Sequence, residues 1–120
     1  MNHPGALFCK GDAKVIFEPL MESAARGELI LVNGGLCHWH LRRDGQLTIR
    51  EIIVLPEYQK QGIGTAMLEQ LKHAPGAASI FAKCPFDLDA NAWYQALGFA
   101  DEGTETTKSG RRLRLWRLTL

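Results

Sequence analysis

TIREIIVLPEYQKQGIGTAMLEQLKH, residues 48–73, decides how the rest of the chain is read. Residues 49–55 form a β-branched and apolar run, interrupted only by Arg50 and Glu51. Pro56 ends it, because proline has no N–H to give a sheet ladder. A polar loop covers 57–61, and Gly62-Ile63-Gly64-Thr65 then opens a helical pattern. Ile63, Met67 and Leu71 recur every fourth residue with Ala66 and Leu68 beside them, while Glu69, Gln70 and Lys72 stay polar. The order is strand, glycine loop, helix. At such a junction the first-turn N–H groups have no helical acceptor, and the helix dipole makes that end electropositive. Glycines let the backbone come close to a bound anion. The junction therefore predicts a phosphate-bearing ligand.

Two common phosphate motifs are excluded by what the loop lacks. A nucleotide P-loop needs Lys and then Ser/Thr after its last glycine, whereas Gly64 is followed directly by Thr65. A dinucleotide fingerprint wants a third small residue at position 67, which is Met67. What remains is Gln59-x-x-Gly62-x-Gly64 after an apolar strand. This resembles the acetyl-coenzyme A loop of the GNAT N-acetyltransferases, Gln/Arg-x-x-Gly-x-Gly/Ala.

Composition narrows the class. At 120 residues, 46% hydrophobic and 22% charged, the chain is expected to be one globular domain spanning 1–120. A formal net charge of +1 gives no whole-protein field to draw in nucleic acid or membrane. No apolar run approaches a membrane-spanning length, and the first residues do not read as a signal peptide. Cys9, Cys37 and Cys84 are odd in number and form no C-x-x-C pair, which favours a reduced, cytoplasmic protein.

Outward from the central stretch, Asn33-Gly34-Gly35 and Asp44-Gly45 are turn signals. They separate expected strands at 28–32, 36–42 and 47–55, three in antiparallel succession. Residues 13–17 suggest a short strand and 18–26 a short helix, with Pro19 at its first position and Gly27 just past its end. After the central helix, Pro75-Gly76 marks a break, and 78–84 is a strand made parallel to 47–55 by the intervening helix. A helix capped by Asp87 or Asp89 runs to about residue 97, closed by Gly98. A final strand pair occupies about 99–102 and 113–120. The predicted class is α/β (α+β): a mixed, mostly antiparallel sheet with one central parallel pair and flanking helices.

Asn91-Ala92-Trp93-Tyr94-Gln95-Ala96-Leu97-Gly98-Phe99 is similar to the Asn-x-x-Tyr element that GNAT proteins carry on the helix after their second parallel strand. Asn91 and Tyr94 are three apart, hence on one helix face. The resemblance implies the GNAT-like acyl-coenzyme A N-acyltransferase fold, in which the strands at 47–55 and 78–84 splay apart. It implies acetyl-CoA as cosubstrate, its pantetheine arm bonded to backbone near Ile53 and Val54. The pyrophosphate would rest on the N–H groups of Gln61, Gly62, Ile63, Gly64 and Thr65, with Gln59, Lys60 and Asn91 also contacting the cofactor. Tyr94 matches the family's proton donor to the coenzyme A sulfur. The N-terminal region is short for the family, whose two helices there often shape the acceptor site.

The base departs from the best-known pattern. Some members carry a carboxylate at the position of Thr48, and a hydroxyl cannot do that work. Glu51 is the nearby carboxylate, but on a regular strand its parity is opposite, so only a bulge would bring it to the same face. His38 and His40 share one face of the neighbouring strand, and histidine is a residue type suited to a general base. Zinc through Cys37, His38 and His40 is disfavoured, because adjacent strand residues point oppositely; no metal is expected. Arg111, Arg112, Arg114 and Arg117 invite a nucleic-acid reading, weighed against Glu102 and Glu105 close by in sequence and the lack of a stacking run. The implied activity is transfer of acetyl from acetyl-CoA to an amine acceptor by direct attack, or of a longer acyl group from its coenzyme A ester. The alternative is a catalytically weak acyl-CoA-binding regulatory protein. An apolar C-terminal strand would suit a homodimer.

Overall fold

The computed structural model describes residues 26–120. The strand expected over 13–17 lies outside them, as does the helix expected over 18–26 apart from its last residue. Strand β1 (Leu29–Val32), β2 (Gly35–Leu41) and β3 (Gln46–Val54) form an antiparallel run joined by the two predicted turns. At the first turn Gly34 holds φ +84, a left-handed conformation that glycine adopts without a Cβ penalty. Beyond β3, Pro56–Tyr58 make one turn of 3-10 helix, and α1 (Ile63–Lys72) follows the glycine loop. β4 (Ser79–Pro85), α2 (Ala90–Ala96), β5 (Ala100–Thr106) and β6 (Arg112–Thr119) complete the described chain.

The six strands make one sheet in the order β1-β2-β3-β4-β6-β5. Only β3 and β4 run parallel, as a crossover through α1 requires. Their pairing is short: Gln46, Leu47, Thr48 and Ile49 meet Ser79, Ile80, Phe81 and Ala82, and nothing beyond is paired. The last five residues of β3 therefore diverge from β4, as the resemblance implied. β6 lies inside the sheet between β4 and β5. The apolar C-terminal strand thus offers no edge; among the described strands the edges belong to β1 and β5.

Cross-strand partners share a sheet face, which assigns the two sides. Ile49, Ala82 and Trp116 are partners in sequence across β3, β4 and β6. Their face carries the core, with Leu47, Ile52, Val54, Ile80 and Cys37. α1 buries Met67, Leu68 and Leu71 in that core, the stripe read from the fourfold spacing. α2 adds Ala90 and Tyr94 on the same side. Burial also pushes the Cys37 thiol up to about 12, so it stays neutral and unreactive. Cys37 is expected to resist iodoacetamide at pH 8 until the protein unfolds, a result that peptide mass spectrometry checks directly.

The opposite face is polar. His38 and His40 on β2 pair with Glu51 and Thr48 on β3. Thr48 pairs with Phe81, and Phe81 with Arg117.

Candidate functional site

The sequence just after β3 builds a cradle for an anion. Lys60 takes φ +62, a left-handed conformation that costs a non-glycine residue on the order of 1 kcal/mol or more. Gly62 follows at φ +82 as the N-cap of α1 and has no side chain to cap the helix. The first helical bond is Ala66 N–H to the Gly62 carbonyl at 2.9 Å. The N–H groups of Ile63, Gly64 and Thr65 precede it and are left for a ligand. Gln59 braces the loop by donating from Nε2 to the Val54 carbonyl at 2.9 Å.

A cleft of about 380 Å³ opens over this cradle. One wall is Val54, Tyr58, Gln59, Lys60, Gly62, Ile63, Gly64 and Thr65; the other is Asp89, Ala90 and Trp93 of α2 and its N-cap. It thus runs from the divergent end of β3 along the first turn of α1. Strand alternation decides which backbone faces it. Leu55 N–H bonds the Gly34 carbonyl at 2.9 Å, toward β2, so the Val54 N–H and carbonyl face the gap. Ile53, expected to share that role, has its backbone turned to β2, where it pairs with Leu36. Gln61 does not line the cleft either; its Nε2 donates to the Glu57 carbonyl at 3.2 Å.

The second motif divides its work differently from expectation. Asn91 is a staple within the protein: Nδ2 donates to the carbonyls of Pro85 (2.8 Å) and Leu88 (2.9 Å), and Oδ1 accepts from Trp116 Nε1 (3.0 Å). Its amide ties the end of β4 and the start of α2 to β6, which leaves little for a cofactor. Asn91→Ala is expected to cost about 1–3 kcal/mol by stranding those partners, read as a lower urea midpoint. Tyr94 is only 3% exposed and does not line the cleft. Its ring meets those of Trp93 (5.0 Å), Phe99 (5.1 Å) and Trp116 (6.4 Å). Trp93, which the sequence did not single out, is the α2 aromatic that reaches the cleft; its approach to Gly64 across the cleft is what distinguishes it from any other helical aromatic. Neither candidate cap bonds the helix: Asp89 sits at the N-cap without a side-chain bond, and Asp87 pairs with Arg111 at 3.4 Å.

On the polar face a bulge resolves the question of Glu51. His38 pairs with Glu51 but Trp39 pairs with Ile49, so Arg50 is an extra residue on β3. That insertion shifts Glu51 onto the face of Thr48. Glu51 and His38 are opposite each other and 4% and 3% exposed. Glu51 lies two residues past the last β3–β4 pair, at the mouth of the splay. His40 Nδ1 lies 2.8 Å from Glu28 Oε2, and Arg26 Nε donates to Glu28 Oε1 at 2.9 Å. Burial raises Glu28, but the bonds from Arg26 and His40 outweigh it and hold the carboxyl below its ordinary value.

The C-terminal arginines are largely neutralised. Arg117 pairs with Glu102 at 2.9 Å, Arg114 with Asp101 and Arg111 with Asp87, while Arg112 and Arg114 stack on Phe86. Charges already paired in this way do not make a stripe for a phosphate backbone. Among the described residues no group of three or more His, Cys, Asp or Glu is placed to hold a metal ion. No helix among them is long and apolar enough to cross a membrane.

A mixed sheet whose parallel strands part beside a glycine-led anion cradle defines the GNAT class of acyltransferase fold. The chain belongs to that family: the model of the acetyltransferase (GNAT) domain matches residues 21–101. Solved structures agree at the level of the fold. A GNAT-family protein from Desulfovibrio desulfuricans superimposes with a TM-score of 0.75 at 20% identity, over 93% of this chain and 83% of its own. The ribosomal-protein-S18-alanine N-acetyltransferase of Escherichia coli gives 0.67 at 23% identity, over 98% and 82%. A Bacillus subtilis acetyltransferase in complex with CoA gives 0.66 at 17% identity, over 96% and 97%. Among curated proteins none matches the sequence significantly.

Proposed function

We propose that the protein, read as one domain, transfers an acetyl group from acetyl-CoA to a primary amine. The carrying observation is the cleft that joins the outward-facing Val54 N–H, whose carbonyl neighbour is held by Gln59, to the open amides of Ile63, Gly64 and Thr65. A pantetheine arm carries amides that can extend a strand, and its pyrophosphate suits a helix N-terminus. One elongated site thus takes both parts. Lys60 adds positive charge beside the phosphates. The reaction as written needs no metal.

In this reading the amine nitrogen attacks the thioester carbonyl, and the tetrahedral intermediate collapses with cleavage of the C–S bond. The surplus proton of the amine passes to Glu51, at the mouth of the splay. The departing thiolate takes a proton from the Tyr94 hydroxyl, and solvent restores both groups. The buried neutral thiol of Cys37 and the buried Cys84 suit a reduced, cytoplasmic setting.

The test is calorimetric titration with acetyl-CoA. Wild type is expected to bind in the micromolar range (about −8 kcal/mol). A Cβ at Gly64 would lie 3.2 Å from Trp93 Cζ2, so Gly64→Leu fills the cleft and should abolish that binding while the helix remains folded. Absence of binding to folded wild type would overturn the proposal. One observation favours a second reading, an acyl-CoA-binding protein with weak catalysis: the Tyr94 ring is enclosed by Trp93, Phe99 and Trp116. Under the enzyme reading Tyr94→Phe lowers turnover about tenfold or more at unchanged acetyl-CoA affinity. Under the second reading turnover is weak from the start and Tyr94→Phe leaves it unchanged.

A further inference from the structure

We propose that Trp93 and Asp89 form the receptor for the adenine ring of the cosubstrate, an inference that rests on the acetyl-CoA reading above. The two residues are four apart, so they project from one side of α2, toward the first turn of α1. Trp93 is half-buried, and its indole edge comes up against Gly64, beside the amides that would hold phosphate. Its edge-on contact with Tyr94, at an interplanar angle of 63°, fixes the ring by packing. An indole held at the rim of a phosphate cradle is a stacking platform, and a base tethered to those phosphates by one ribose is within its reach.

Asp89 supplies the second half of the argument. Its exposed carboxylate lines a cleft whose other wall attracts anions, yet among the described residues that side chain makes no hydrogen bond or ion pair. It does not cap α2, although it sits at the cap position. Asp44, Asp87 and Asp101 are each paired with an arginine. A carboxylate beside bound phosphate is repelled unless the ligand also brings a donor to it, because an ionised carboxylate can only accept. Adenine brings one in its exocyclic amino group. A ligand carrying phosphates, a π face and an amino edge fits all three features together.

The fragments of coenzyme A separate this from a role in the pantetheine channel. Adenosine 3′,5′-bisphosphate and 4′-phosphopantetheine are each titrated against wild type, Trp93→Leu and Asp89→Ala. The expected result is a loss of about tenfold or more for the adenosine bisphosphate in Trp93→Leu, with phosphopantetheine unchanged. Asp89→Ala should weaken the adenosine compound but not its inosine counterpart, which lacks the amino group. Loss of phosphopantetheine binding in Trp93→Leu, or equal binding of adenosine and inosine forms by all three proteins, would overturn the proposal. Thermal melts of both variants exclude unfolding as the cause. If wild type binds intact CoA but the variants bind the adenosine fragment as it does, only this inference fails. If folded wild type binds neither CoA nor a fragment, the acetyl-CoA reading fails with it.

Discussion

Glu51→Gln is expected to lower amine acetylation by about 10²–10⁴-fold, the range a general base supplies, with acetyl-CoA affinity unchanged. The expectation rests on where the bulge at Arg50 places the carboxylate. Without that extra residue, Glu51 would point into the core beside Ile49; with it, Glu51 shares a face with Thr48, His38 and His40. It is buried there at the point where β3 leaves β4, the place an attacking amine would approach in the proposed reaction. Glutamine keeps the shape and one acceptor but cannot take the proton. Steady-state rates and calorimetry on the same preparation test this. Full turnover in Glu51→Gln would assign proton removal to another group or to water. Thr48→Ala is the companion control, since a hydroxyl has no basic role and its loss should cost activity far less.

Gly34→Ala should be the most damaging single methyl group in the described chain. The backbone there holds φ +84, which costs an L-residue about 1–2 kcal/mol. A Cβ would also stand 2.2 Å from Tyr58 Cγ and 2.6 Å from both Cδ atoms, so the ring must leave its place. Together these predict a loss of about 2–5 kcal/mol, seen as a large fall in the urea midpoint. Gly110→Ala separates the two causes. Its φ is +89, but nothing lies within 4 Å of the added atom, so only the backbone cost applies. Because Tyr58 lines the cleft, folded Gly34→Ala should also bind acetyl-CoA more weakly. Equal stability losses in the two variants would refute the role of the Tyr58 contact.

These two positions differ in how readable they were. The turn at Gly34 is marked in the sequence, but the aromatic ring above it comes from a residue 24 positions later, which periodicity cannot place. For Glu51, strict alternation gives the wrong face, because the parity of a strand survives only as far as its first bulge. Asn91 shows the same limit from the other side. Its spacing from Tyr94 suggested a shared ligand, while the carbonyls of Pro85 and Leu88 and the indole of Trp116 claim its amide instead.

Neighbouring residues along the chain were enough to specify the strand–loop–helix unit, its anion-attracting end and the parallel crossover. Each follows from local chemistry: a proline that ends a strand, glycines that free a loop, and a fourfold apolar stripe. The sequence also carried enough of the two motifs to identify the family. Which residues meet across the sheet and the cleft emerged from long-range packing alone. The splay begins at Ile49 because β4 runs on beside β6 while β3 stays with β2. Trp93 reaches the cleft beside the first turn of α1, where Gly64 has no side chain to hold its indole off. Those placements depend on contacts between residues far apart in the chain, and no local pattern encodes them.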